Sequence, residues 1–486
     1  MYRGFFRSIF QETRGGRVRS NGSGVARARR RPLAAFAAAA SLLAVVVLAG
    51  CGGADRETAW PYGGGRDPGA GNGQAVPNKA KRVSIDFWYT WSGDFRNEFQ
   101  KTVVDAFVRD HPELEVNMTF LEGTGSTQYS DKILTSIAGG EPPDVLLFDR
   151  FLIQSWASKG LLEDLTPYLT EDNVSPADYD PRIWAETVYE GRVYGLPWVI
   201  DGRAMYYNKT MMAKAGLDPN RPPRTIDELD RMAERMFAAD AEGRYTQVGF
   251  IPWMGQGFLY TQAWNWGGRW EDAEGRLTPD DPRNALALEW MAGYANKYDI
   301  ARLQQFYDKR SSYGINPFVG GNVAFSFDGN WVLNDLRKYE PGFDWGVAPM
   351  PSAGEAEQTT WVGGWSLVVP KGAKHVREAW EFIRFAAGRE GALLWSKRPN
   401  AGSDMTALPA VNEELKLRDD PHLRVFLDML PQAKVRPVTP LGSLLWNEAM
   451  RVQELAVNGR GNPRQLLADV KKQLEEQSAK LGLTQK

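Results

Sequence analysis

The chain has 486 residues, a formal net charge of −2, 18 tryptophans, three histidines and one cysteine. A lone cysteine excludes an intrachain disulfide, and His111, His375 and His422, none of them three or four residues from another, write no zinc-binding helix. Residues 1–50 hold nine arginines and one glutamate, so the remainder falls to −10, without the clustered Lys and Arg that nucleic-acid phosphates need.

Arg27, Arg29, Arg30 and Arg31 precede an apolar run from Leu33 to Gly50. A positive n-region, a short apolar h-region and a small-residue end make a secretory signal over 1–50. The interrupted run and its uncharged far flank argue for a removed signal over a permanent transmembrane helix. The run closes on Leu48-Ala-Gly-Cys51, which resembles a bacterial lipobox and implies that Cys51 is acylated and becomes the first mature residue. Residues 51–81 are rich in Gly and Pro and cannot bury enough apolar surface to order themselves. They predict a flexible tether reaching roughly 30 Å.

Order is expected from Val83. Val83–Tyr89 alternates with period two, Phe95–Arg109 carries Phe99, Val103 and Phe107 at helical spacing, and Leu114–Leu121 is again a strand. A helix over Tyr129–Ala138 and a buried strand, Asp144–Phe148, follow. Strand alternating with helix predicts an α/β fold with a parallel sheet covered on both faces, whose ligands lie beyond the strands' carboxyl ends. Those ends carry Trp91, Asp94, Asp149 and Arg150. Gly123-Thr-Gly125 lacks the third glycine of a dinucleotide loop. Further along, strands are expected at Arg203–Asn208, Val323–Phe327 and Trp361–Val369, the last with a glycine pair that marks a bulge or a close approach. Helices are expected at Lys209–Ala215, after Thr225 as N-cap, at Phe258–Trp266 and at Pro282–Tyr298, and the chain is largely helical after His375.

Gly139-Gly-Glu-Pro-Pro-Asp-Val145, Tyr194-Gly-Leu-Pro-Trp198, Met205-Tyr-Tyr-Asn-Lys209, Phe318-Val-Gly-Gly-Asn-Val-Ala-Phe325, Gly329-Asn-Trp331, Val362-Gly-Gly-Trp365 and Ala379-Trp-Glu-Phe-Ile383 occur in that order. Together they resemble the extracellular solute-binding proteins, family 1, sugar-binding lipoproteins of bacterial ABC importers with the maltose-binding type as nearest pattern. The resemblance implies a two-lobe periplasmic-binding-protein type II fold with several crossovers, solute bound between the lobes, and closure by a hinge. It places lobe I at 82–199 plus 365–435 and lobe II at 200–364 plus 436–486. It also implies two permease subunits as partners, a monomer, no cofactor, and attachment to the cell membrane through the lipid alone.

A sugar offers hydroxyls at its edge, suited to carboxylates, Asn and Arg, and a C–H face suited to a flat aromatic. Trp91, Trp264, Trp266, Trp331, Trp365 and Trp446 are the stacking candidates, against the commoner fate of a tryptophan, which is core. Trp331 and Trp365 match the family's cleft, whereas Trp88, inside a strand, is expected in the core. Asp94, Asp149, Arg150, Asp201 and Asp328 are the polar candidates, against a cap or a surface ion pair. The glycine pair at Gly363-Gly364 could offer backbone amides. An acidic, tryptophan-lined cleft argues against anionic solutes, and leaves polyamines or peptides as alternatives. A tethered polysaccharide-degrading enzyme is the reading from another class. It needs two carboxyl groups flanking the scissile bond, and no motif pairs any two; there is also no Gly-x-Ser-x-Gly elbow and no Walker loop.

Overall fold

The computed structural model describes residues 82–91, 93–122, 128–311, 316–398 and 402–483. The expected signal, Cys51, the tether and Gly123-Thr-Gly125 lie outside the described residues.

Nine strands organise the two halves: β1 Val83–Tyr89, β2 Leu114–Phe120, β3 Val145–Asp149, β4 Leu196–Asp201, β5 Arg203–Asn208, β6 Phe325–Gly329, β7 Trp345–Ala348, β8 Gly363–Val368 and β9 Met405–Thr406. The larger sheet has the order β9-β4-β8-β3-β1-β2 and the smaller β6-β5-β7. β1 is parallel to β2 and β3, as the strand–helix alternation predicts. The sheet does not stay parallel, however: β8 runs antiparallel to β3 and β4. It enters from the smaller half after β7, and so meets the sheet from the opposite end.

β3 is buried from Val145 to Phe148, as expected of a strand covered on both faces. The expected helix after β1 is observed as Phe95–Phe99, a π-helical turn Gln100–Val104, and Asp105–Asp110 in one run. Pro282–Tyr298 and Leu259–Asn265 form where the periodicity puts them. Thr225 caps the helix Ile226–Glu234 by accepting from Glu228 N, but Glu228 returns its bond to Arg224 N, one residue earlier than a capping box requires.

One core gathers Phe87, Phe99, Phe107, Trp198, Trp380, Phe382 and Trp395 beneath the larger sheet. A second gathers Met212, Leu229, Trp270, Leu288, Leu445 and Leu474 in the other half. Each such side chain contributes about 1.5–3 kcal/mol on burial. The first core extends across the junction, where Phe426 of the helix Pro421–Met429 lies 6.1 Å from the Tyr206 ring of β5. Among the described residues no helix is long and apolar enough to cross a membrane.

Among the described residues the chain passes between the halves at three places, and these are bonded side by side. Only Gly202 separates β4 from β5. Thr360 Oγ1 accepts from Arg203 N at 2.9 Å and donates to Arg203 O at 2.7 Å. Beyond it, Lys434 N donates to Thr360 O and Val362 N to Lys434 O, both at 2.8 Å.

Candidate ligand-binding cleft

The carboxyl end of β3 delivers Asp149, whose Oδ1 accepts from Arg436 Nη2 at 2.9 Å. Arg436 arrives on the third crossing segment and is 5 % exposed. Its guanidinium lies 3.7 Å from the Phe151 ring centre, 5.1 Å from that of Trp361 and 5.3 Å from that of Trp446. A cation taken from water is held here by a carboxylate and by ring faces.

The first crossing repeats the arrangement. Asp201, the last residue of β4, pairs with Arg203, the first of β5. The Arg203 guanidinium lies 3.4 Å from the Trp361 ring centre and 5.5 Å from that of Trp331, and its Nη2 donates to Gln256 Oε1 at 3.1 Å. Burial pulls the Arg203 guanidinium down from its ordinary pKa, with Asp201 opposing and Arg436 adding to the fall. Trp361 therefore stands at the centre of two acid–arginine couples, and its own Nε1 donates to Thr261 Oγ1 at 2.8 Å. A Cβ at Gly363 would meet the Asp201 carboxylate and the Arg203 guanidinium, so the couple would have to shift to admit one.

Asp328, on β6, is 4 % exposed and accepts from Asn316 Nδ2 at 2.8 Å and from Gly329 N at 3.1 Å. Burial pushes its carboxyl up to about 6, against those two hydrogen bonds and the pull of Arg203. Three residues on, Trp331 is 37 % exposed, with its indole lying over Gly329 where any Cβ would collide with it. Trp365 faces Asp149 across β8 and β3, is half-buried, and meets Trp91 edge-on at 5.6 Å.

Of the residues singled out in the sequence, the structure thus gathers Asp149, Asp201, Asp328, Trp331 and Trp446 around Arg203, Arg436 and Trp361, with Trp365 and Trp91 beside them. Others are placed differently. Arg150 is fully buried; it pairs with Glu186 and donates to Gly363 O at 2.9 Å and Val199 O at 3.4 Å, so its donors serve β4 and β8. Gly364 has φ +144, and the space beside it holds the Val199 carbonyl and the Arg150 guanidinium, so its bareness serves strand packing. Trp264 is buried against Tyr260, and Trp266 packs toward Trp290. Asp94 is exposed and outside this cluster, with Lys338 Nζ of the helix after β6 3.5 Å away.

Sequence reasoning missed Arg203, Arg436 and Trp361. The available signal was position: Arg203 and Arg436 fall on the crossing segments, and Trp361 lies two residues before the glycine strand. A separate groove of about 660 Å³ runs between the helix after β1 and Arg389–Ser396. Its one deeply set cation, Arg398, is already held by Glu98 and Asp404, and the groove shares no residue with the cluster at the crossings.

Residues 92–393 match the family described as bacterial extracellular solute-binding protein. A solved structure described as CpMnBP1 with mannobiose bound superposes with a TM-score of 0.71 at 27 % identity, covering 81 % of this chain and 99 % of that one. The maltotriose-binding protein of Pyrococcus abyssi is 23 % identical over 367 residues, 73 % of this chain and 74 % of that protein. The arabinooligosaccharide-binding protein of Bacillus subtilis is 23 % identical over 334 residues, 65 % of this chain and 72 % of that protein.

Proposed function

Because this chain belongs to the bacterial extracellular solute-binding proteins, a family of binders and not of enzymes, we propose that it captures a carbohydrate between its two halves and delivers it to an ABC importer. The observation that carries this is the arrangement around Trp361: two arginine–carboxylate couples, Asp149–Arg436 and Asp201–Arg203, set among indole faces. Such a floor is electrically balanced, offers donors and acceptors together, and lies beside the exposed indole of Trp331. It suits a neutral ring with hydroxyls on its edge and C–H groups on its face. A polyamine would need open carboxylates, whereas Asp149 and Asp201 are matched by arginine and Asp328 is buried, with Asn316 and Gly329 N as its donors. The sugars bound by mannobiose- and maltotriose-binding relatives support the same class.

In this reading the lobes are 82–199 plus 365–435 and 200–364 plus 436–486, and solute closes them by binding the closed form more tightly than the open one. Two permease subunits receive the loaded monomer, which a lipid on Cys51 and the tether hold to the cell membrane. Replacing Cys51 with serine is then expected to release the protein from membranes in a fractionation.

The central test is tryptophan fluorescence of the protein from Val83 onward, titrated with mono- and oligosaccharides. A saturable change with one sugar series is expected. Trp331→Ala should weaken it by about 2 kcal/mol, roughly thirtyfold, as for other exposed aromatic anchors. Silence across the panel would overturn the carbohydrate assignment and leave the fold standing.

A further inference from the structure

Leu114, Val116 and Met118 of β2 are buried against the core, and Phe120 is the next residue on that face, yet it is 42 % exposed. An isolated exposed phenylalanine needs no explanation. This one, however, ends a continuous series of rings that begins in the cleft. Trp365 lies 5.6 Å from Trp91, Trp91 5.3 Å from Phe95, Phe95 5.0 Å from Tyr89, and Tyr89 5.7 Å from Phe120. Strands β8, β3, β1 and β2 are consecutive neighbours in the sheet. The series therefore runs along the edge where β1, β2 and β3 end, from Trp365 on β8 opposite Asp149 out to the last strand.

Its members differ in what they offer. Phe95 and Tyr89 are buried and fix the spacing, whereas Trp365, Trp91 and Phe120 keep part of their surface in water. Three partly open aromatic faces, with the two buried rings setting the gap between Trp91 and Phe120, are suited to separate rings of a chain-like sugar, each presenting a C–H face. We propose that this row is a ledge that lengthens the cleft toward β2, and that the preferred ligand is an oligosaccharide long enough to lay a distal ring on Phe120. The proposal rests on the carbohydrate reading above and adds to it a direction and a length.

Calorimetric titration of the protein from Val83 onward with manno- and malto-oligosaccharides of two to five units tests it, using the wild type, Phe120→Ser and Phe120→Trp. In the series that binds, wild-type affinity is expected to rise with length. Phe120→Ser should lose about fivefold to tenfold on the longest members and less than about twofold on the disaccharide, the scale of one aromatic contact. Phe120→Trp should restore the long-chain affinity, which a merely structural role for Phe120 would not require. Equal losses at every length, or no loss at any, would overturn the ledge while leaving sugar binding intact. Absence of wild-type binding in both series would instead overturn the carbohydrate reading, and the ledge with it.

Discussion

At the floor of the proposed cleft Asp149 and Asp201 each hold an arginine that lies on an indole, and behind it Glu186 holds Arg150, whose other donors reach backbone carbonyls. At the rim, Trp331 and Phe120 stand partly in water, and Lys338 meets Asp94 with both side chains more than half exposed. Floor groups carry two obligations, because the desolvated charges that would meet a ligand also neutralise one another in the folded chain. Rim groups carry one. Substitutions should therefore lower stability and affinity together at the floor, and affinity alone at the rim.

The largest effect is expected behind the floor, where a group carries only the structural obligation, from Arg150→Met. It leaves Glu186, only 2 % exposed, without its cation, and the expected loss is about 3–5 kcal/mol of folding stability in urea denaturation. Recovery of most of that loss in Arg150→Met/Glu186→Leu would confirm that the unpaired charge, and not the missing volume, is responsible.

Asp328 gives the next largest effect, through pH. Its carboxyl titrates at about 6 when folded, against 3.8 as its ordinary value, so folding favours the protonated form. The stability this contributes is fully present below about pH 4 and is lost as pH rises through about 6, amounting to roughly 3 kcal/mol. Thermal unfolding of wild type and Asp328→Asn across that range should show the wild type gaining on the variant as the solution is acidified. Parallel curves would mean that Asp328 is not held in the buried state described above.

Lys338→Ala should have the smallest effect. The pair it breaks is exposed, worth less than about 1 kcal/mol, and screened by salt. Affinity is expected to fall slightly at low ionic strength and to match the wild type at high ionic strength, with melting temperature unmoved. A large stability loss would mean that the rim is also part of the fold's support.

The order of elements is legible in the sequence because strand and helix periods alternate cleanly from Val83, and glycine or proline marks most of their ends. The site is legible only in part. Asp149 and Arg150 are adjacent at one strand end, and sequence treats them alike, but Glu186 lies 36 residues further on and draws Arg150 inward. Likewise, Arg203 reads as the polar start of a strand until Trp361, far along the chain, is found beneath it. Trp264 and Trp331 are both stacking candidates, and only the resemblance to the family's cleft favours Trp331 over Trp264. What separates them is that the aromatic helix of Trp264 is buried along its whole length, whereas Trp331 follows β6 into a position that stays partly in water. In each case the deciding partner is distant in sequence, and a single chain read locally does not contain it.

The bonds from Arg203 through Thr360 to Lys434 make the three crossing segments a single ribbon. A ribbon joined across its width flexes easily out of its plane and resists shear within it, since shear would have to pull those hydrogen bonds apart one against the next. Two bodies joined by such a flexure have, to first order, one coordinate along which to part. Any molecule that favours their approach then acts on a single equilibrium, and none of its differential affinity is dissipated in suppressing sideways motion.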